Sequence, residues 1–221
     1  KNIIFWGLGL QISFAIIVLK TSFGKALFFY FNIFIVKLIS FADAGSDFLF
    51  TSFIPEVGYD QALINFAFRA LPVIIFFSSL IAATYHLGII QLIIKSIAKI
   101  MEKTMKTSGA ETLSISANIF VGQTEAPLVI KPFISKMTKS ELTAIMTGGF
   151  ATVAGGVMAA YVLMLDKFIP GIAGHLMAAS IMSAPAALVI AKIIYPETTT
   201  PETSKNDIQL SEVSDESNFL E

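Results

Sequence analysis

The stretch Asn118-Ile-Phe-Val-Gly-Gln-Thr-Glu-Ala-Pro127 gathers two amides, a hydroxyl, a carboxylate, a glycine and a proline inside a very apolar chain. Ionisable and amide groups at membrane depth are costly, and they mark substrate or ion paths. Carbonyl, amide and hydroxyl oxygens suit a hard cation. Gln123, Thr124 and Glu125 add donors and acceptors for a neutral polar solute. The plainer alternative is a cytoplasmic loop with an ordinary helix cap at Thr124. Against it stand the Ile-, Phe-, Val- and Leu-rich flanks and a tip without lysine.

The elements that must position this motif are apolar helices. Of 221 residues, 55% are hydrophobic and 14% charged, against about a quarter charged in a soluble domain. An all-α integral membrane protein is expected. The chain has no cysteine, so disulfides, thiolate metal sites and thiol catalysis are excluded. His86 and His175 are too far apart to suggest a metal site, and no basic-aromatic cluster suggests nucleic acid. The phenylalanines read as lipid contact and packing, and no organic cofactor is expected.

Spans are predicted at Ile3–Leu19, Phe66–Ile94, Leu142–Leu165 and Ile169–Ile194. Phe23 to Phe41, with spaced lysines, reads as an interfacial helix. Asp43, Asp47, Pro55, Glu56, Gly58 and Asp60 mark a polar loop, and Arg69 is expected to snorkel. Residues 1–94 thus form scaffold-type spans with an interfacial helix. Residues 95–110 form a basic amphipathic helix on the cytoplasmic surface. Residues 137–195 hold two transport-type spans, joined by a tight turn at Asp166-Lys167. Residues 196–221 are an acidic linker or tail that cannot bury enough apolar surface to fold alone. The chain lacks an initiator Met and has an abrupt polar end, as expected of a piece of a longer polypeptide.

Lys95, Lys99, Lys103 and Lys106 precede the motif, and Lys131, Lys136 and Lys139 follow it. Positive loops stay cytoplasmic. Residues 111–136 must then enter and return as a re-entrant hairpin. Each arm of about ten residues, at ~1.5 Å per residue, reaches roughly half way across the hydrocarbon core. Gly122 permits the turn, and Pro127 suits the first turn of the returning arm. A broken helix frees carbonyls and N–H groups, which a membrane tolerates only where protein or ligand satisfies them. Thr147-Gly-Gly-Phe-Ala-Thr-Val-Ala-Gly-Gly156 carries two glycine pairs inside a span. Small-residue helix packing explains it. An interruption facing the hairpin tip explains it equally well. Tyr161, His86 and His175 read as interfacial or structural residues.

Asn118–Pro127 resembles the first re-entrant hairpin of the concentrative nucleoside transporters. Phe66-Ala-Phe-Arg-Ala-Leu-Pro72, Ser140-Glu-Leu142 and Thr147–Gly156 extend the likeness from Ile3 to Pro196. The resemblance implies the N-terminal half of an inverted-repeat, sodium-coupled nucleoside symporter of the plasma membrane, working by alternating access as a homotrimer in lipid. It implies nucleobase contacts from Gln123, Thr124 and Glu125, with Val157 packed nearby. It implies sodium ligands from the Asn118 and Thr152 side chains and the Val121 and Val153 carbonyls. A facing hairpin and the ribose-binding groups are expected in a second half, so residues 1–221 should hold half a site. Proton coupling through Glu125, transport of another polar solute, and a non-transporting membrane subunit remain open. No nucleophile or paired carboxylate near Glu125 suggests an enzyme.

Overall fold

The computed structural model describes residues 2–50 and 66–202, in helices and the short connections between them. The helices are α1 (Asn2–Lys20), α2 (Ser22–Phe50), α3 (Leu71–His86), α4 (Ile89–Met105), α5 (Gly109–Ala117), α6 (Lys139–Ala151), α7 (Gly155–Leu165) and α8 (Ile172–Ile194). A π-helical turn, Phe66–Ala70, leads into α3, and a 3-10 helix, Ala126–Lys136, follows α5. Among the described residues five segments are long and apolar enough to cross a membrane: α1, α2, Ala67–His86, Lys139–Leu165 and α8. The first two bury few of their side chains, as lipid-facing helices do.

Helix α8 is the organising element. It packs against α1, α2, α6 and α7 and carries more buried residues than any other described helix. One apolar core lies between α8, α4 and α5, around Met105, Ile119 and Leu188. A second joins α4 to the two arms of the hairpin, around Ile94, Leu113 and Val129. A third fastens α2 and α3 to α7 and α8, around Val73 and Val162.

Several expectations change. The segment Phe23 to Phe41 is not a separate interfacial helix; it is part of the 29-residue α2. Asp43 and Asp47 continue that helix instead of opening a loop, and Arg69 lies 3.7 Å from Asp47. The Arg69 charge on the neighbouring element partly offsets that of Asp47 there. The other expected loop residues, Pro55, Glu56, Gly58 and Asp60, lie outside the described residues. The span expected to reach Ile94 ends at His86. Gly88 then adopts φ +78°, a left-handed conformation that suits glycine, and starts α4. Ile89 to Ile94 therefore belong to the amphipathic helix. The last span begins at Ile172 after the left-handed Gly171, three residues later than expected. Residues 195–202 do not hang free but lie against the start of α6. Residues 203–221 are outside the described residues.

Candidate functional site

The hairpin begins at a strong cap. Ser108 accepts the Glu111 N–H through its hydroxyl, and the Glu111 carboxylate accepts the Ser108 N–H at 2.9 Å. Helix α5 ends at Asn118, and the chain turns through residues 118–125 into the 3-10 arm, with Pro127 in that arm's first turn. Gly122 does not supply a positive φ. A Cβ there would meet only the Glu125 carboxylate folded over it, the far end of an exposed side chain that is free to swing aside.

Opposite the tip, Thr152 and Ala154 take extended conformations and separate α6 from α7. The two breaks satisfy each other. Asn118 donates its side-chain amide to the Gly148 carbonyl at 2.7 Å, and the Thr152 hydroxyl donates to the Asn118 carbonyl at 2.9 Å. The Gly155 N–H donates to the Phe120 carbonyl at 3.1 Å. Ser180 of α8 reaches the Ile119 carbonyl at 3.4 Å. The glycine pairs permit this approach. A Cβ on Gly155 would stand 2.9 Å from the Phe120 oxygen, and one on Gly148 would stand 2.7 Å from Ile115. Of the two readings of the Gly-rich span, both hold: the helix packs closely, and it is interrupted where it meets the tip.

A cavity of about 1020 Å³ opens between the tip, the α6–α7 break and α3. Gln123, Thr124, Glu125 and Val157 lie on its wall, as do Val121, Thr152 and Val153. Asn118 is the exception: it sits behind the wall, 3% exposed. Its amide nitrogen is committed to Gly148, which leaves its oxygen as the acceptor end. Among the described residues no three His, Cys, Asp or Glu side chains cluster as a metal site. The oxygen donors gathered at the break are neutral ones.

The cavity also recruits Ser78, Tyr85 and His86 from α3 and Tyr161 from α7. Read from sequence, His86 and Tyr161 are interfacial or structural residues, and Ser78 and Tyr85 do not stand out. The available signal is the spacing Ile74, Ser78, Ile81, Tyr85, which places one mixed polar stripe along a single helix face.

A second polar group sits at the base of the hairpin. Lys192, near the end of α8, lies 2.6 Å from the Glu111 carboxylate and donates to the Ser140 hydroxyl at 2.9 Å. Both charged side chains are almost fully buried. Ser140 in turn donates to the Tyr195 carbonyl at 2.8 Å, and Thr138 donates to Glu197 at 2.7 Å. Burial pushes the Glu197 carboxyl up. Hydrogen bonds from Thr138 and Thr199, with the Lys192 ammonium 3.7 Å away, outweigh that and hold it below the usual carboxylate range.

Known proteins resemble this chain in sequence and fold. The family model "Na+ dependent nucleoside transporter N-terminus" matches residues 2–53, "Nucleoside recognition" matches 67–168, and "Na+ dependent nucleoside transporter C-terminus" matches 175–221. The chain belongs to the Na+-dependent nucleoside transporter family. Sodium/nucleoside cotransporter 1 of Rattus norvegicus is 42% identical over 98% of this chain and 32% of its own length. The uncharacterized transporter YutK of Bacillus subtilis (strain 168) is 44% identical over 97% of this chain and 51% of its own length. The chain therefore spans between a third and a half of these relatives.

CNTnw in an inward-facing substrate-bound state superposes with a TM-score of 0.81 and 39% identity, over 94% of this chain and 49% of that one. A doubly substituted CNTnw in an outward-facing state gives 0.83 and 38%, over 99% and 52%. The named relatives are transporters, and family membership with five membrane-length apolar segments among the described residues supports an integral membrane protein.

Proposed function

We propose that the full-length protein is a sodium-coupled nucleoside symporter of the plasma membrane, and that residues 111–136 are its re-entrant hairpin. The observation that carries this reading is the meeting of two helix breaks over one cavity, with Gln123, Thr124 and Glu125 on the wall. Discontinuous helices of this kind form solute and ion sites in secondary transporters. The cavity, at the upper end of small-molecule pockets, has room for a nucleoside and for protein supplied by the rest of the chain.

In this reading Gln123 and Glu125 hydrogen-bond the polar edge of the nucleobase, Thr124 adds a hydroxyl, and Val157 packs on its face. The Asn118 and Thr152 oxygens, with the Val121 and Val153 carbonyls, take the place of water around sodium. The ion and the solute share one tip, so loading either orders the backbone that the other needs. That is a physical route to coupling. The solute then crosses by alternating access, with the hairpin and α6–α7 moving against the scaffold helices in each subunit of a trimer.

The test is uptake of labelled uridine by the full-length protein in sodium medium against choline medium. Sodium-driven uptake is expected. Asn118→Ala should raise the sodium concentration needed for half-maximal uptake before it alters selectivity among bases; equal loss of both would refute the division of roles. Proton coupling is the second reading, favoured by the Glu125 carboxylate on the cavity wall. Uptake that follows a proton gradient without sodium would select it. Absence of uptake under either gradient, with an unchanged cellular role in Glu125→Gln, would instead favour a subunit that carries no solute.

A further inference from the structure

Helix α4 divides its surface three ways. Ile94, Ala98, Met101 and Met105 form the buried stripe, packed on the hairpin and the main core. At about 100° per residue, Lys95, Lys99 and Lys103 lie roughly 100–180° round from Ile94. All three are exposed, and none pairs with a carboxylate of the described residues. Ile89, Ile93 and Ile100 lie roughly 220–260° round, exposed as well. Leu92, roughly 160° round and so among the lysines, is 69% exposed. Water alone gives no reason to hold four large aliphatic side chains beside three unpaired lysines.

We propose that α4 is a contact site for anionic phospholipid, with Ile89, Ile93 and Ile100 entering the acyl layer while Lys95, Lys99 and Lys103 hold headgroup phosphates. A helix lying in the interface needs this pair of adjoining stripes, one for each layer. The third, buried stripe makes α4 different from a detachable anchor. Its apolar residues Ile94 and Ala98 pack on Leu113 and Ala117 of the hairpin's first arm. Lipid bound on one side of α4 therefore bears on the hairpin through the other side. The inference holds for any cargo and does not rest on nucleoside transport.

Each lysine should favour an anionic over a neutral headgroup by about fivefold, so the set gives a preference on the order of a hundredfold. The test is thermal unfolding of the full-length protein in detergent with added phosphatidylglycerol, phosphatidylcholine or inorganic phosphate. Phosphatidylglycerol should raise Tm above the phosphatidylcholine value, and phosphate should not. The Lys95→Gln, Lys99→Gln, Lys103→Gln variant should keep its Tm without lipid. Its half-maximal phosphatidylglycerol concentration should rise on the order of a hundredfold. An unchanged lipid response in that variant, or an equal response to phosphatidylcholine or phosphate, overturns the proposal. A photo-crosslinker at Ile100 supplies the second measurement. Capture of phospholipid supports the site; capture of another part of the polypeptide shows that protein covers the stripe and overturns it.

Discussion

Replacing Lys192 by Met tests what holds the hairpin at its base. The change removes the 2.6 Å partner of Glu111 and leaves a carboxylate 1% exposed among Ser108, Ser140 and Glu141. Breaking a buried pair from one side costs about 3–5 kcal/mol, because the remaining charge has no compensation. The double change Glu111→Gln with Lys192→Met removes both charges together. The glutamine side chain can still accept the Ser108 N–H, as glutamine does in capping boxes. Ser140 keeps the Tyr195 carbonyl. Beyond the pair itself, the double variant should lose the Lys192–Ser140 hydrogen bond, about 1 kcal/mol, and the looser 3.7 Å contact with Glu197, which adds little. The gap between the two, at least ~2 kcal/mol by these figures, is read as the difference in thermal or denaturant unfolding of the purified full-length protein. Equal stability of the single and double variants would refute the claim that Lys192 acts as the counter-ion of Glu111.

Gly155→Ala should lower transport by roughly tenfold or more with little change in expression, since its Cβ must displace the Phe120 carbonyl that the Gly155 N–H holds; uptake kinetics check this, and Gly9→Ala, where a Cβ meets nothing, is the control. The Glu197 carboxyl is held below its ordinary value of 4.5, so its contribution is complete above that value and is lost as pH falls through the lowered one. Proteolytic cleavage in residues 195–202 should therefore accelerate on acidification below about pH 4.5, and Glu197→Gln should cleave quickly at every pH.

Much of the site is legible in the sequence because helix breaks announce themselves. At the tip, Gly122 and Pro127 bracket polar residues in an apolar run, a pattern that an uninterrupted span has no use for. The paired glycines at 148–149 and 155–156 mark the facing break for the same reason. Asn118 is legible by type, but its place behind the wall depends on the Gly148 carbonyl, which only packing reveals. The full length of α2 is hidden because Asp43 and Asp47 look like loop residues until Arg69 is brought beside them. Lys192 has the look of an ordinary span-end lysine. The sequence does hold two capping boxes, Ser108-Gly-Ala-Glu111 and Thr138-Lys-Ser-Glu141, but only the fold shows that their glutamates are buried too deeply for caps alone.

The mutual satisfaction of the two breaks also constrains the order of assembly. Asn118 is synthesised 30 residues before Gly148 and 34 before Thr152. Until those partners exist, the polar backbone at the tip has nothing in lipid to bond with, and entering the bilayer costs several kcal/mol for each such group. On the re-entrant reading proposed above, the hairpin must wait in water, or in the shelter of the insertion machinery, while a later span catches up. A nascent chain stalled before Gly148 should leave Gln123 open to water-soluble reagents, and one released after α7 should not. The tip would, on that re-entrant reading, reach its depth only after a later segment of the chain has been made.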